Sequence, residues 1–347
     1  MMNTLTCPLP HVETEAISLG HGSGGRLSAE LFRSVFQPAF GNPILDQLGD
    51  QALLEINGAR LAFTTDSYVV RPLFFRGGNI GSLAVHGTIN DLAAGGATPL
   101  YLSAAFILEE GLPLETLRRV VATMQQCAEQ AGVQIVTGDT KVVEKGSCDG
   151  LFINTAGIGL VPGHLRLAPD QVQPGDAVLL SGPIGDHGIA ILAEREGLSF
   201  ASEIASDTAA LHTLCASVLA SGAAIRCMRD PTRGGLASTC NEIAQSSRVG
   251  LVLEDAAIPV RPAVRGACEL LGLDPLYIAN EGRMVFFAAA EDADRALAAL
   301  HEHPLGRDAR YIGTVTAEHP GLVTVRTAYG TERIVDMLTH DPLPRIC

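Results

Sequence analysis

Tryptophan is absent from the 347 residues, and no two of the eight cysteines form a C-x-x-C pair. Without such pairs the usual zinc and dithiol-redox signatures are missing, so Cys7, Cys127, Cys148, Cys215, Cys227, Cys240, Cys268 and Cys347 read as mostly free thiols. A long apolar run is missing too. The longest uncharged stretch, Leu92 to Leu108, is broken by Gly95-Gly96 and Pro99 and is too short to span a bilayer. The N-terminus shows no basic region followed by an apolar core and a cleavage site, so the expectation is a chain without a signal peptide in the reducing cytoplasm. Positive charge is scarce, with 24 Lys and Arg against 38 Asp and Glu and a formal net charge of -14. Nucleic acid and anionic membrane surfaces would repel such a chain at long range, whereas local phosphate binding stays open. No short-period repeat is visible.

What remains is 47% hydrophobic and 18% charged, the composition of an ordinary globular protein whose length suggests two domains. Two apolar runs flank Asn57-Gly58 over residues 52 to 65, a hairpin signal. A helix is predicted over 79–94 and a strand over 101–108. A helix opened by Pro113, with core-spaced Leu117, Val121 and Met124, comes next, then strands near 133–136 and 151–160. The polar, proline-bearing stretch from Ala168 to Asp176 marks the domain boundary. Beyond it we expect strands at 177–181, 249–253, 284–289, 310–315 and 322–326, with helices near 186–196, 208–220, 235–245 and 263–271. Both halves therefore read as α+β, with helices on one face of a mainly antiparallel or mixed sheet.

Several segments could carry chemistry. Gly20-His21-Gly22-Ser23-Gly24-Gly25 fits the dinucleotide pattern G-x-G-x-x-G before a helical pattern at 27–36. A glycine loop closing over phosphate explains it equally well, as does a mobile linker. Acids recur at expected strand or helix ends, in Gly49-Asp50-Gln51, Thr65-Asp66-Ser67, Asn90-Asp91 and Gly138-Asp139-Thr140-Lys141. Singly each reads as a cap or turn residue, but together they suit Mg²⁺, which takes a few carboxylates plus phosphate oxygens. Asp230-Pro231-Thr232-Arg233-Gly234-Gly235 leads into a helix whose N-terminus could hold an anion. Asn280-Glu281-Gly282 reads as a turn. The chain closes on Asp341-Pro342-Leu343-Pro344-Arg345-Ile346-Cys347, a tail expected to be extended and able to carry its thiol about 20 Å. The neighbouring α-carboxylate disfavours the thiolate, so reactivity would require docking into an electropositive site.

Taken together, Thr65-Asp66-Ser67, Asn90-Asp91-Leu92-Ala93, Thr137 to Val143, Asp230 to Gly235, Asn280-Glu281-Gly282 and Pro344-Arg345-Ile346-Cys347 resemble the HypE family of hydrogenase maturation proteins over nearly the whole chain. That family is related to aminoimidazole ribonucleotide synthetase and selenophosphate synthetase. The resemblance implies a two-domain α+β fold: an N-terminal ATP-binding domain (1–168) whose strands form a dimeric barrel core, a C-terminal domain (169–338), and a flexible tail (339–347) carrying Cys347. It implies ATP and Mg²⁺, with Asp50, Asp66, Asp91 and Asp230 toward metal. Gly22, Gly24, Gly25, Asp66, Asn90, Asp91, Asp139, Thr140 and Arg233 would face the nucleotide. Gln51 departs from relatives that carry a second aspartate there.

The implied reaction is ATP-dependent dehydration of an S-carboxamide on Cys347 to a thiocyanate, the source of cyanide for the iron of nickel-iron hydrogenase. By carry-over of the family's motifs and by chemical type, Glu281 is expected as base and Lys141 as the group orienting it or the amide. Expected partners are the carbamoyltransferase HypF, the iron-carrying HypC-HypD complex and a second copy of the chain. Two other readings use the same acids: a sister synthetase acting on a free amide or carbonyl, and a nucleotide-binding scaffold without catalysis.

Overall fold

The computed structural model describes residues 16–198, 204–338, 343 and 345–347. The chain opens with the short helices α1 (Arg26–Leu31) and α2 (Gln37–Phe40), joined by a turn of π-helix. Residues 16–18 have no regular structure. The hairpin of β1 (Ala52–Ile56) and β2 (Ala59–Tyr68) turns at Asn57 and Gly58, both with positive φ (52° and 81°), the requirement of a type I′ turn. After the two-residue strands β3 (Phe74–Phe75) and β4 (Gly78–Asn79) comes α3 (Ile80–Ala94). Its start is fixed by Asn79, whose side chain accepts from the amides of Gly81 and Ser82 at 2.8 and 3.3 Å.

β5 (Thr98–Glu109), α4 (Leu114–Ala131), β6 (Gln134–Val143) and β7 (Leu151–Leu160) complete a sheet of order β1-β2-β7-β5-β6, antiparallel except for β5 with β6. α3 is apolar nearly all round because it lies between this sheet and other helices, with Ile80, Leu83, Val85, Ile89 and Leu92 buried. α4 buries Val120, Met124, Cys127 and Ala128. Of the expected core positions Met124 is buried, but Val121 is exposed, because its neighbour Val120 takes the inward position on that turn.

The second sheet has order β14-β13-β10-β12-β8-β11-β9. Its elements in chain order are β8 (Ala177–Leu180), α5 (Asp186–Glu196), α6 (His212–Ala220), β9 (Ile225–Arg229), α7 (Gly235–Ser247), β10 (Gly250–Glu254), α8 (Pro262–Leu271), β11 (Val285–Ala288), α9 (Ala293–Glu302), β12 (Arg310–Thr316), β13 (Val323–Arg326) and β14 (Glu332–Ile334). Two of its strands, β9 and β14, and the helix α9 escaped the sequence reading. The central strands β8 and β11 are buried at every residue, as strands covered on both faces must be. Val285 and Phe287 enter one core while Phe286 and Ala288 enter another, the period of two that a pleat imposes. A third cluster joins the two halves, packing Tyr68, Ile80 and Leu151 with Ile189, Ile278, Leu343 and Ile346. The architecture is α+β.

Candidate active site between the two sheets

A cavity of about 280 Å³ opens where the two sheets meet, lined by Asp50, Asp66, Asp91, Asp230, Arg229, Arg233, Glu242, Glu281 and Cys347 among others. Each acid arrives from a different element. Asp50 precedes β1, Asp66 lies on β2, Asp91 is near the end of α3, and Asp230 follows β9. Carboxylate oxygens of Asp50, Asp91 and Asp230 lie within 4.8 Å of one another. Asp66 lines the same cavity outside that trio and turns one oxygen to the Ser67 amide at 2.8 Å.

Crowded, buried carboxylates resist ionisation. Burial, followed by the charges of Asp230 and Asp50, pushes Asp91 well above the usual range. Burial and Asp50 push Asp230 up to about 7. Asp50 is also raised, chiefly by burial, although Arg229 opposes the shift from 2.8 Å. Arg229 also meets Glu242 at 3.0 Å, so one guanidinium serves two acids and leaves the trio with surplus negative charge. Three converging carboxylates offer only oxygen donors, the set a hard divalent cation prefers. The residues present therefore fit Mg²⁺.

Glu281 reaches the cavity through a loop tied to both halves. Its amide donates to Asp207 Oδ1 at 3.1 Å and its carbonyl accepts from Asn90 Nδ2 at 3.3 Å. Asn280 beside it donates to the Pro231 carbonyl through its amide and its side chain, at 3.1 and 2.9 Å, which couples this loop to the one bearing Asp230. A Cβ at Gly282 would fall 1.8 Å from the Asp207 carbonyl oxygen, so only glycine fits. Burial first, then the charges of Asp230, Asp66 and Asp207, holds the Glu281 carboxyl well above its ordinary pKa, with Arg233 opposing. Arg233 also donates to the Gly22 carbonyl at 3.1 Å, and Gly24, with φ of +78°, packs against the Arg233 backbone where a Cβ would stand 3.2 Å away. The glycine loop thus lies beside Arg233, with Gly24 on the cavity wall and Gly25 leading into α1.

The last residues are seated. Cys347 lines the cavity and Ile346 is 2% exposed. The charge on Cys347 is the main cause of a raised Arg233 pKa, which identifies an electropositive neighbour for the terminus. The expected extended run of Asp341, Pro342 and Pro344 lies outside the described residues.

Asp139, Thr140, Lys141 and Asn90, all expected at the nucleotide or the reacting group, do not line the cavity. Asp139, Thr140 and Lys141 fall inside β6 instead of at a strand exit, and all three are exposed. Lys141 Nζ sits 2.7 Å from Asp139 Oδ2, an ion pair on the open edge of the sheet. Asn90 is buried and spans segments: it donates to the Ala209 carbonyl and accepts from the Leu211 amide, and it does not line the cavity. Gln51, the departure from the family pattern, packs against Gly95, where a Cβ would stand 2.3 Å from its amide nitrogen. Arg229 and Glu242 were missed. Extending the Asp230 motif one residue back, to the end of Ile225-Arg226-Cys227-Met228-Arg229, would have found the arginine.

Residues 48–161 and 173–326 match the N-terminal and C-terminal domains of the AIR synthase related proteins. The chain is 56% identical over 338 residues to the carbamoyl dehydratase HypE of Cupriavidus necator, covering 97% of this chain and 96% of that one. It belongs to the HypE family. Among solved structures, a HypE-HypF complex superposes with a TM-score of 0.85 at 47% identity, covering 89% of this chain and 99% of the other. A HypE in complex with ATP gives 0.81 at 50% identity, with coverage of 95% and 99%. Among the described residues no helix is long and apolar enough to cross a membrane.

Proposed function

We propose that this HypE-family chain dehydrates a carboxamide carried on the sulfur of Cys347, consuming ATP and leaving a thiocyanate from which cyanide passes to the iron of nickel-iron hydrogenase. The observation that carries this reading is that Cys347 shares one cavity with the acid trio and Glu281.

An amide oxygen is a poor leaving group. Transfer of the γ-phosphoryl group of ATP to that oxygen forms a new P–O bond as the bond to ADP breaks. The C–O bond then breaks with phosphate leaving, and the nitrogen gives up its two protons to become a nitrile. The sum is carboxamide plus ATP to thiocyanate, ADP and phosphate. Asp50, Asp91 and Asp230 would hold Mg²⁺, with Asp66 beside them, and the ion would neutralise charge on the phosphates. Arg233 and the Gly22–Gly25 loop supply fixed positive charge and amides to an oxyanion. Glu281 is the base we assign to the nitrogen protons. Its raised pKa comes partly from Asp230 and Asp66, so neutralising those acids would lower it toward the range in which a carboxylate accepts a proton.

Lys141 we assign to the reaction through a second copy of the chain. β6 carries it on an open sheet edge beside exposed Ile135, Val136 and Val142, and Tyr101 and Ile107 expose further apolar surface on the neighbouring β5. Pairing of two chains there would cover these side chains and supports a homodimer. In this reading, residues 1–168 bind nucleotide and pair, while 169–338 close the site. HypF is the expected donor of the carboxamide, since a HypE of similar sequence is crystallised with it, and the HypC-HypD complex is the expected acceptor of cyanide in the cytoplasm.

Mass spectrometry of the C-terminal peptide after incubation with the carbamoyl-transferring system tests the proposal. Carboxamide addition followed by loss of one water only with ATP is expected. A carboxamide that persists in the presence of ATP overturns it.

A further inference from the structure

Residues 204–211 have no regular structure and none of them lines the cavity, yet both peptide groups of Glu281 are tied to this stretch. Asp207 is its centre. The side chain is 1% exposed, and its Oδ1 accepts from the Glu281 amide at 3.1 Å. Oδ2 makes no hydrogen bond and faces Arg283 Nε across 3.5 Å. Two residues on, the Ala209 amide donates to the Glu281 carbonyl at 3.3 Å, the same oxygen that Asn90 Nδ2 reaches. The stretch is itself held from several elements. The Ser206 amide donates to the Arg76 carbonyl at 2.9 Å, Ser206 Oγ lies 2.8 Å from His187 Nδ1, and Thr208 Oγ1 lies 3.0 Å from His86 Nδ1. Arg283 is fixed in turn by the Pro183 and Gly282 carbonyls at 2.6 and 3.0 Å and by Asp186 at 3.6 Å.

Burying a carboxylate is costly, and a neutral oxygen would serve a turn as well, so Asp207 is more than the loop's folding requires. A base must come within about 2.6–3.2 Å of the proton it takes, and a displacement of about 1 Å set off far from the chemistry can cost about 100-fold in rate. We propose that Asp207 is a positioning residue of the dehydration: it holds the Glu281 amide so that the carboxylate meets the carboxamide nitrogen on Cys347, while Ala209 and Asn90 hold the Glu281 carbonyl. This rests on the assignment of Glu281 as the base. Asn90 directly precedes Asp91, so the same hold ties the base to the acid trio. The charge of Asp207 also adds to the proton affinity of Glu281, after burial and the charges of Asp230 and Asp66.

The test is single-turnover water loss from the full-length chain already carrying the carboxamide, with Asp207→Asn and, separately, Asp207→Ala. Asparagine retains an acceptor for the Glu281 amide and gives up the charge, whereas alanine gives up both. Arg283 keeps Asp186 and two carbonyls in either variant, so the fold should hold. ATP affinity should stay within about twofold, while water loss slows by about three- to tenfold in Asp207→Asn and by about 30- to 100-fold in Asp207→Ala. Hydrogen exchange of the Glu281 amide, followed by NMR, should speed by about tenfold or more in Asp207→Ala alone. Water loss at the wild-type rate in Asp207→Ala overturns the proposal. So does loss of ATP binding in step with the rate, the result a merely structural part would give. Should Asp207→Ala fail to fold, the ratio of rate to affinity in Asp207→Asn decides. If wild type holds the carboxamide and never loses water, the dehydration reading falls instead, and exchange at the Glu281 amide still judges whether Asp207 holds it.

Discussion

Arg229 Nε stands 2.8 Å from Asp50 Oδ1, and the same guanidinium reaches Glu242 at 3.0 Å, which makes one arginine the counter-charge for two acids on the cavity wall. Arg229 is the last residue of β9 and is followed directly by Asp230, so the strand that sets the acid also sets the base. Arg229→Ala should cost about 3 kcal/mol of stability, chiefly because it leaves the largely buried Asp50 carboxylate unpaired, while the partly exposed Glu242 adds little. Chemical denaturation measures this. A loss below about 0.5 kcal/mol would show that solvent already screens the pair.

Raised acid pKa values give the cavity a pH signature. Asp230, at about 7 in the folded state against 3.8 in the unfolded chain, binds more protons folded than unfolded between those values. Its contribution to stability is therefore present at low pH and lost as pH rises from about 4 to about 7. Asp186, raised to about 6 mainly by burial, acts in the same sense, while the lowered pKa values of buried His86 and His187 act in the opposite one. The magnesium-dependent part isolates the trio. Added Mg²⁺ should raise the melting temperature more at pH 7.5 than at pH 5.5, and an equal or reversed increment would argue against a metal at Asp50, Asp91 and Asp230.

Asp91→Asn keeps an oxygen for the Thr64 hydroxyl, 2.8 Å away, and removes one charge from the trio. Without ligands the variant should melt higher than wild type, because like-charge repulsion is relieved. Binding of ATP with Mg²⁺ should weaken by about 10- to 100-fold, measured by calorimetry. A variant that melts lower and binds normally would place Asp91 in a purely structural role.

Glu281→Gln preserves the volume of the side chain and the backbone bonds to Asp207 and Asn90. Nucleotide affinity should stay within about twofold while single-turnover thiocyanate formation falls by about 100-fold or more. Full turnover would remove Glu281 from proton transfer.

Cys347→Ala leaves the backbone seat and the buried Ile346 in place. The melting temperature should hardly move, yet neither carboxamide nor thiocyanate can form. A free small-molecule substrate would be indifferent to this change, so ATP turnover that survives it would favour the sister-synthetase reading.

Much of the fold was legible because its signals are local. Asn57-Gly58 requires positive φ at two positions and therefore a hairpin, and Asn79 caps α3 through its own side chain. What escaped was set by packing. β9 reads Ile-Arg-Cys-Met-Arg, a sequence with two charges that becomes a strand because β11 offers it a partner. Thr137 to Lys141 resemble a strand exit in composition, but β5 pairs with that segment from Gln134 through Val143 and holds it in the sheet.

Sequence alone determined which chemistry was available: a surplus of acids, a glycine loop, Glu281, and a cysteine at the end of the chain. It could not decide which acids meet, because Asp50, Asp91 and Asp230 are far apart in the chain and converge only when two sheets close on one another. Tertiary structure alone put Arg229 among them and left Lys141 on an open edge. It also decided the state of the terminus. Burial of Ile346 and carbonyl bonds to Arg195 and His187 oppose the entropy that would fray a short tail, and they bring Cys347 to the cavity.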